Sequence, residues 1–515
     1  MVFLRTHLPA IAILALGFAL SVVLALLPFD FALTNLLSDD SFYYFDIARN
    51  IAQGLGSTAD GVNLTNGYHP LWLLAILPLF QLFSTGSAFD IAPVQAILIL
   101  STFVNLGIGI VIYRIAGRYT ESAWVKASAL GLWFFNPFVL YQMLNGLETA
   151  LSIFFTALLF LAGIRYTESP SNRRLVEAGV VGGLMMLARL DTVFYFLGFL
   201  GYLAYHHGLR GSTRAVLISG VAATIVVSPW FLWNTVNFGT VMTSSSVAST
   251  MVNHELIVQD HGVSWFQTFK AAVYMTDREA RAVAPFIGIP VVLFVLAGLC
   301  LGWLFFGRGK ASWEKLKHRI PVELFIAAGF VLMFFANATI RWTARPWYFI
   351  AINLFIAIWL AWFLEKLRQE SYLRSLVAVL ISLFSLFLFY VAWSKGLENI
   401  AAPQKQMLEA TQWMNQNLPE DAVIGAFNSG IQSYFSTHRV VNLDGLVNNE
   451  ALQALREKNI WQYLSSEGID YLADYDLYLR YRYKSFLGVD DPFSHLELIY
   501  EEPITKLHVY KVYPQ

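Results

Sequence analysis

The chain carries a single cysteine, Cys300, in 515 residues. No disulfide can form within it, and a metal site built on thiolates would lack its ligands. Cys300 lies inside the apolar run VVLFVLAGLCLGWLFF, where it reads as a small membrane-embedded residue. Charge is scarce too. Only 13% of residues are charged, against roughly a quarter in an ordinary soluble domain. The formal net charge of -1 gives no electrostatic case for a nucleic-acid partner. P-loop, GxSxG, HExxH and CxxC patterns are all missing, and each absence removes one familiar way of building a site.

Apolar residues fill the space: they make up 57% of the chain. Candidate spans are 8–28, 91–113, 122–143, 147–165, 174–188, 192–206, 215–236, 284–306, 322–338, 347–365 and 373–394. Each approaches the roughly 20 apolar residues that a crossing needs. The pattern predicts a mainly α, polytopic membrane protein with about eleven transmembrane helices. The first run is longer than a signal-peptide core and lacks a small-residue cleavage site, so it is expected to stay as a helix.

Loops 114–126, 165–174, 206–214, 307–319 and 365–374 are rich in lysine and arginine. Alternating through the spans puts all of them on one side with Arg5, which the positive-inside rule makes cytoplasmic. Segment 69–83, HPLWLLAILPLFQLF, would break this alternation if it crossed. It is therefore predicted to re-enter or to lie along the outer interface. The expected outer face then gathers loop 29–69, the stretches 145–151, 188–192 and 337–349, and the end of the chain. Residues 1–398 are thus read as the membrane domain.

Composition changes after residue 398. Segments 404–418 and 449–468 have helical spacing, whereas 422–427, 439–444, IDYLAD, LELIYEE and KLHVYKVY read as strands. Residues 399–515 are expected to form a small extracytoplasmic α/β domain.

Chemistry-bearing residues concentrate in the expected outer segments. In DDSFYYFDIARNIAQGLG, positions Phe42, Phe45, Ala48 and Ile51 form one stripe, and Gly54 is a natural helix stop. A helix of this length is too short to span and suits an interface. An N-cap role would explain Asp40 alone; Asp39 beside it needs a second reason. Two adjacent acids can act as a base with an orienting partner, or as ligands of a divalent cation such as Mg, Mn or Ca. Asp46 and Arg49 have the spacing of a helix ion pair.

In GVNLTNGYHPLW, Asn66-Gly67 signals a turn, Tyr68 and His69 follow, and Pro70 suits a helix start. Glu148 stands where an acid favours the start of a helix. Arg189 and Asp191 interrupt an apolar stretch, and ionisable groups at such places are usually paired or functional. Arg341 and Arg345 flank tryptophans, which suits interfacial anchoring or, through the guanidinium fork, phosphate binding.

These stretches, with NGLETAL, GLMMLARLDTVF, SPWFLWNTVNFGTVM, RPWYF and FNSGIQSYFSTHRVVNLDGLVN, resemble the GT-C superfamily of membrane glycosyltransferases. Aminoarabinose transferases, protein O-mannosyltransferases and arabinofuranosyltransferases are the relatives in view. The resemblance implies a polyprenyl-phosphate-linked sugar donor, an extracytoplasmic acceptor and an inverting transfer in the cell membrane, with the N-terminus cytoplasmic. It implies catalytic carboxylates at Asp39 and Asp40, and donor-phosphate contacts at His69, Arg189, Arg345 and Arg341. Glu148, Asp191, Asn66, Tyr68, Trp347 and Tyr348 become supporting or acceptor-side residues. His69 stands where relatives often carry lysine. No cofactor is required, although a divalent cation held by Asp39 and Asp40 is compatible. A lipid-linked glycan flippase, or a polymerase or ligase using polyprenyl-diphosphate glycans, is the alternative.

Overall fold

The computed structural model describes residues 2–261, 321–337, 345–348, 350–368 and 403–513, with 264, 266 and 270 singly. The expected spans 284–306 and 373–394, Cys300 and the candidate Arg341 lie outside the described residues.

Long apolar runs become helices because a backbone that leaves water must satisfy its own polar groups. Four described helices are long and apolar enough to cross a membrane: His7–Ala25 within α1 (Val2–Ala25), α5 (Ile91–Ala116), α8 (Thr149–Glu168) and α11 (Thr213–Phe238). Between α1 and α5 come α2 (Phe29–Asn35), α3 (Asp39–Ala52) and α4 (Pro70–Phe83). The expected straight span 122–143 is bent by 62° into α6 (Ala123–Phe134) and α7 (Pro137–Met143). The cause is local: Pro137 offers no amide, and the Asn136 side chain caps α7 by accepting from the Phe138 amide. Counting that pair gives up to five spans by length and composition among the described residues, so the figure of eleven is not established by them.

The next helices, α9 (Asn172–Ala188) and α10 (Val193–Gly211), are separated by Arg189, whose backbone is extended, and one short turn, Leu190–Thr192. Three further helices are α12 (Ser244–His261), α13 (Val322–Ala336) and α14 (Ala351–Arg368). Inside the bundle, the buried Trp133 indole donates to Asn105 Oδ1 at 2.8 Å.

The C-terminal domain opens with α15 (Gln404–Asn417). Its five-stranded sheet has the order β2-β1-β3-β5-β4, from β1 (Val423–Ala426), β2 (Arg439–Asn442), β3 (Tyr471–Tyr475), β4 (Leu496–Glu501) and β5 (Leu507–Val512). β2, β1 and β3 run parallel; β5 is antiparallel to β3 and β4. Parallel neighbours need crossovers, and helix α16 (Gly430–Phe435) supplies the one between β1 and β2. The single helix expected over 449–468 is instead two, α17 (Asn449–Glu457) and α18 (Ile460–Ser466). They part at Lys458, which adopts left-handed backbone with φ 53°.

The two parts of the molecule meet on α3. Its stripe buries Phe42 and Phe45 against Tyr434 and Phe435 of α16, with ring centroids 5.5 Å apart for Phe42–Phe435 and 6.0 Å for Phe45–Tyr434. Arg49 pairs with Asp46 at 2.6 Å, donates to the Tyr434 carbonyl at 2.8 Å and stacks on that ring. The apolar face of α3 is thus buried against protein.

Candidate active site

A cavity of about 900 Å³ opens where this seam meets the ends of the membrane helices. Asp40 from α3, Tyr68 and His69 ahead of α4, Glu148 at the start of α8 and Arg189 after α9 all line it. So do Asp191, Arg345, Trp347, Tyr348 and much of segment 241–254. The remaining wall comes from the C-terminal domain, through Phe427, Asn428, Asp444, Leu446, Tyr478, Arg482 and Tyr483.

The adjacent aspartates take different directions. The N-cap of α3 is Ser38, so both occupy the helix's first turn, and the capping role considered for Asp40 is not the one observed. Asp39 does not line the cavity. Its Oδ1 accepts the Ile431 amide at 2.8 Å, which caps α16 from outside that helix's own sequence. Asp40 faces the cavity, and among the described residues no donor reaches its carboxylate. Burial pushes the Asp40 carboxyl above the usual range, the Arg345 charge draws it back, and Glu148 pushes it up again. The two carboxylates therefore do not converge on one point as a divalent-ion pair would. No group of three or more potential metal ligands is gathered among the described residues.

Asp39 has its own electrostatics. Burial raises its carboxyl to about 7; the Ile431 amide opposes the shift, and the nearby charges of Asp40 and Asp474 add to it. The docked protein thus holds a proton on Asp39 that an undocked, solvated Asp39 would shed near its ordinary 3.8. Stability falls with pH wherever the native state binds more protons. Docking should therefore be tightest in acid, weaken from about pH 4 to about pH 7 and then level off. Hydrogen exchange at the Ile431 amide, corrected for the intrinsic rate, reads this. Protection should be higher at pH 5 than at pH 8, and Asp39→Asn should flatten the difference; equal protection in wild type would contradict it.

Glu148 is the hub of the membrane-side wall. Its Oε2 accepts the Tyr44 hydroxyl at 3.0 Å, and its Oε1 pairs with Arg189 Nη1 at 3.0 Å. His69 Nε2 lies 3.7 Å from the same Oε1, and the His69 amide donates to Tyr44 Oη at 3.0 Å. Arg189 also grips Asp191 through two bonds, at 2.8 and 3.1 Å, and lies 4.0 Å over the Tyr348 ring. The fork of this candidate phosphate ligand is thus committed to two carboxylates. Such bidentate pairs fix geometry as well as charge.

The remaining candidates divide. Tyr68 lines the cavity, shares a hydrogen bond with Ser57 at 2.9 Å and packs on Trp230. Asn66 does not line it. It is buried and joins the walls instead: Oδ1 accepts from the Ser244 amide and Asn449, while Nδ2 donates to Asn234 and the Met242 carbonyl. Arg345 faces the cavity with no ion pair among the described residues.

Sequence reasoning missed Asp444 and Arg482. Burial raises Asp444 to about 8, against the pull of the Leu446 amide and Asn442. Arg482 ends a single π-helical turn, Tyr478–Arg482, a rare irregularity that is frequent at functional sites. In sequence, RYRYK reads as a solvated basic stretch.

Comparison with known proteins agrees with this architecture. Residues 69–233 match the family model described as dolichyl-phosphate-mannose-protein mannosyltransferase. Residues 398–510 match a domain of unknown function, DUF8728. No curated protein matches the chain by sequence. Among solved structures, ArnT from Cupriavidus metallidurans bound to undecaprenyl phosphate superposes with a TM-score of 0.56 at 12% identity, covering 97% of each chain. The Archaeoglobus fulgidus oligosaccharyltransferase tethered to an acceptor peptide gives 0.57 at 13% identity, over 99% of this chain and 75% of that one. The same archaeal enzyme in complex with Zn and sulfate gives 0.55 at 15% identity, over 97% and 73%.

The chain thus shares the fold of ArnT and of the archaeal oligosaccharyltransferase, and its residues 69–233 carry the mannosyltransferase-family signature.

Proposed function

We propose that the chain is an inverting glycosyltransferase that moves a sugar from a polyprenyl-phosphate donor to a hydroxyl acceptor on the extracytoplasmic face. The observation that carries this reading is Asp40, a carboxylate without a hydrogen-bonding partner among the described residues, which faces a cavity that Arg345 also lines. Bond changes follow from those groups. The acceptor oxygen forms a bond to the anomeric carbon while its proton passes to Asp40. The bond from that carbon to the phosphate oxygen breaks on the opposite face, and its electron pair leaves with the polyprenyl phosphate. Arg345 is aimed at the charge that grows on the leaving oxygen, the preorganised stabilisation that usually contributes most.

The paired network of Glu148, Arg189 and Asp191 then has a positioning task. It holds Tyr44, His69 and Tyr348 in the wall without surrendering a charge to the substrate. A divalent cation is not needed in this scheme, because phosphate is already an adequate leaving group. Similarity to ArnT, solved with undecaprenyl phosphate, supports the donor class. Likewise, the acceptor peptide of the archaeal enzyme supports an acceptor entering the same cavity.

The test is lipid analysis of the purified protein, paired with a transfer assay. Mass spectrometry should find a polyprenyl phosphate or its glycosylated form among co-purified lipids. Membranes holding the protein should also release free polyprenyl phosphate from a labelled donor only when acceptor is present. Bulk phospholipid alone, with no acceptor-dependent release, would return the chain to a transport reading.

A further inference from the structure

Two guanidinium groups from different parts of the chain line the same cavity as Asp40. Arg345 comes from the turn ahead of α14, and Arg482 from the π-helical turn of the C-terminal domain; both line the one cavity. Each acts on the charge of Asp40, and each acts on the hydroxyl of Tyr478. Neither has a carboxylate within ion-pair distance among the described residues. The Nε of Arg482 donates a long bond, 3.4 Å, to the Tyr483 hydroxyl. Its guanidinium carbon stands 5.7 Å from the ring centres of both Tyr478 and Tyr483. The remaining N–H groups of its fork are uncommitted among the described residues.

Arg482 is half-buried and Arg345 stands at the exposed side of the cavity, and two like charges lining one enclosure repel each other more than in open water. Buried and half-buried arginines elsewhere among the described residues show how the fold usually deals with this. Arg189 has Glu148 and Asp191, Arg49 has Asp46, and Arg439 has Asp60 and Glu467. Among the described residues, Arg345 and Arg482 have only Asp40, at more than ion-pair range, and Asp444, whose burial favours its protonated form. One positive charge is thus unanswered among the described residues. An oxyanion with several acceptor atoms answers it, and the planar guanidinium fork is the side chain best shaped to hold one.

We propose that Arg482 of the C-terminal domain is the second phosphate-binding residue of the transfer site, closing with Arg345 as a clamp across the seam between the domains. This inference rests on the polyprenyl-phosphate reading above. It makes the C-terminal domain part of the catalytic centre, since the clamp exists only while α16 is docked on α3. The rings of Tyr478 and Tyr483 act as the backing that aims the fork.

The test measures binding of polyprenyl phosphate to the full-length protein in nanodiscs, for wild type, Arg482→Gln, Arg482→Lys and Arg345→Gln. Thermal unfolding is followed in parallel as the control for folding. Arg482→Gln should weaken binding at least tenfold with an unchanged unfolding midpoint, and Arg482→Lys should recover part of the loss. Arg345→Gln should weaken it by a similar factor. Wild type that binds, with Arg482→Gln binding equally well, overturns the clamp. A raised acceptor KM in Arg482→Gln at unchanged lipid affinity also overturns it, because the arginine would then serve an anionic acceptor group. Wild type that binds no polyprenyl phosphate overturns the donor reading itself.

Discussion

Asp40→Asn is expected to lower kcat by roughly 10²–10⁴-fold, the range that a general base contributes. The amide keeps the size of the side chain, and the original carboxylate has no hydrogen bond among the described residues that the change would break, so folding should be unaffected. KM for the lipid donor should move little, because the loss falls on proton transfer in the transition state. The neighbouring substitution separates the two acids. Asp39→Asn keeps an oxygen able to accept the Ile431 amide, so it should remove the pH dependence of docking while leaving the contact, with kcat reduced far less. A pH profile adds a sign. Burial raises the Asp40 carboxyl, so wild-type turnover should climb as pH rises through that raised value and the base becomes ionised. Equal activity of Asp40→Asn and wild type in a membrane assay would remove Asp40 from the chemistry.

Gly67→Ala should have the second large effect, although it adds only one methyl group. A Cβ at residue 67 would stand 1.8 Å from the Leu446 carbonyl oxygen and 2.9 Å from Ser244 Oγ. The first neighbour is backbone, so no rotamer change relieves the clash. Overpacking of a tight site costs about 1–3 kcal/mol even where side chains can move. Here the strain falls on the seam, because Leu446 belongs to the C-terminal domain and Gly67 to the turn ahead of α4. Relief comes from separating the two. We expect faster hydrogen exchange at Ile431 and at least a tenfold loss of transfer, with the membrane helices intact by circular dichroism. Wild-type exchange and turnover in this variant would mean that the seam yields without consequence for the site.

The legible part of this molecule was what neighbouring residues decide together. The stripe of α3 follows from apolar positions three apart. Pro70 announces the start of α4, and Glu148, Arg189 and Asp191 stand out because charge is rare in apolar surroundings. Asn136-Pro137 carried a turn signal too, but a hydropathy window averages over it and reports one straight span.

What stayed hidden depends on pairing between distant segments. Nothing near Asp39 says that it will cap a helix in another domain. Nothing near Arg482 says that it will turn inward rather than to water, since aromatic and basic residues also suit a solvated surface. The direction of each aspartate side chain was equally hidden. Adjacent residues on a helix point about 100° apart, so only the packing of α3 decides which one faces the cavity.

The glycine at residue 430 bears on how such proteins diversify. A side chain there would stand 2.4 Å from the Asp39 carbonyl oxygen, so α16 can lie down on α3 only through a bare backbone. A C-terminal domain borrowed from another transferase would meet the same wall. It would have to bring a glycine to this one position, and a free amide to the carboxylate beside it, before any of its substrate-facing residues mattered. In this chain, exchange of the C-terminal domain is therefore expected to be gated by a small mechanical fitting outside the cavity. Chimeras should be joined so that the first loop and α16 travel together as a single inherited piece.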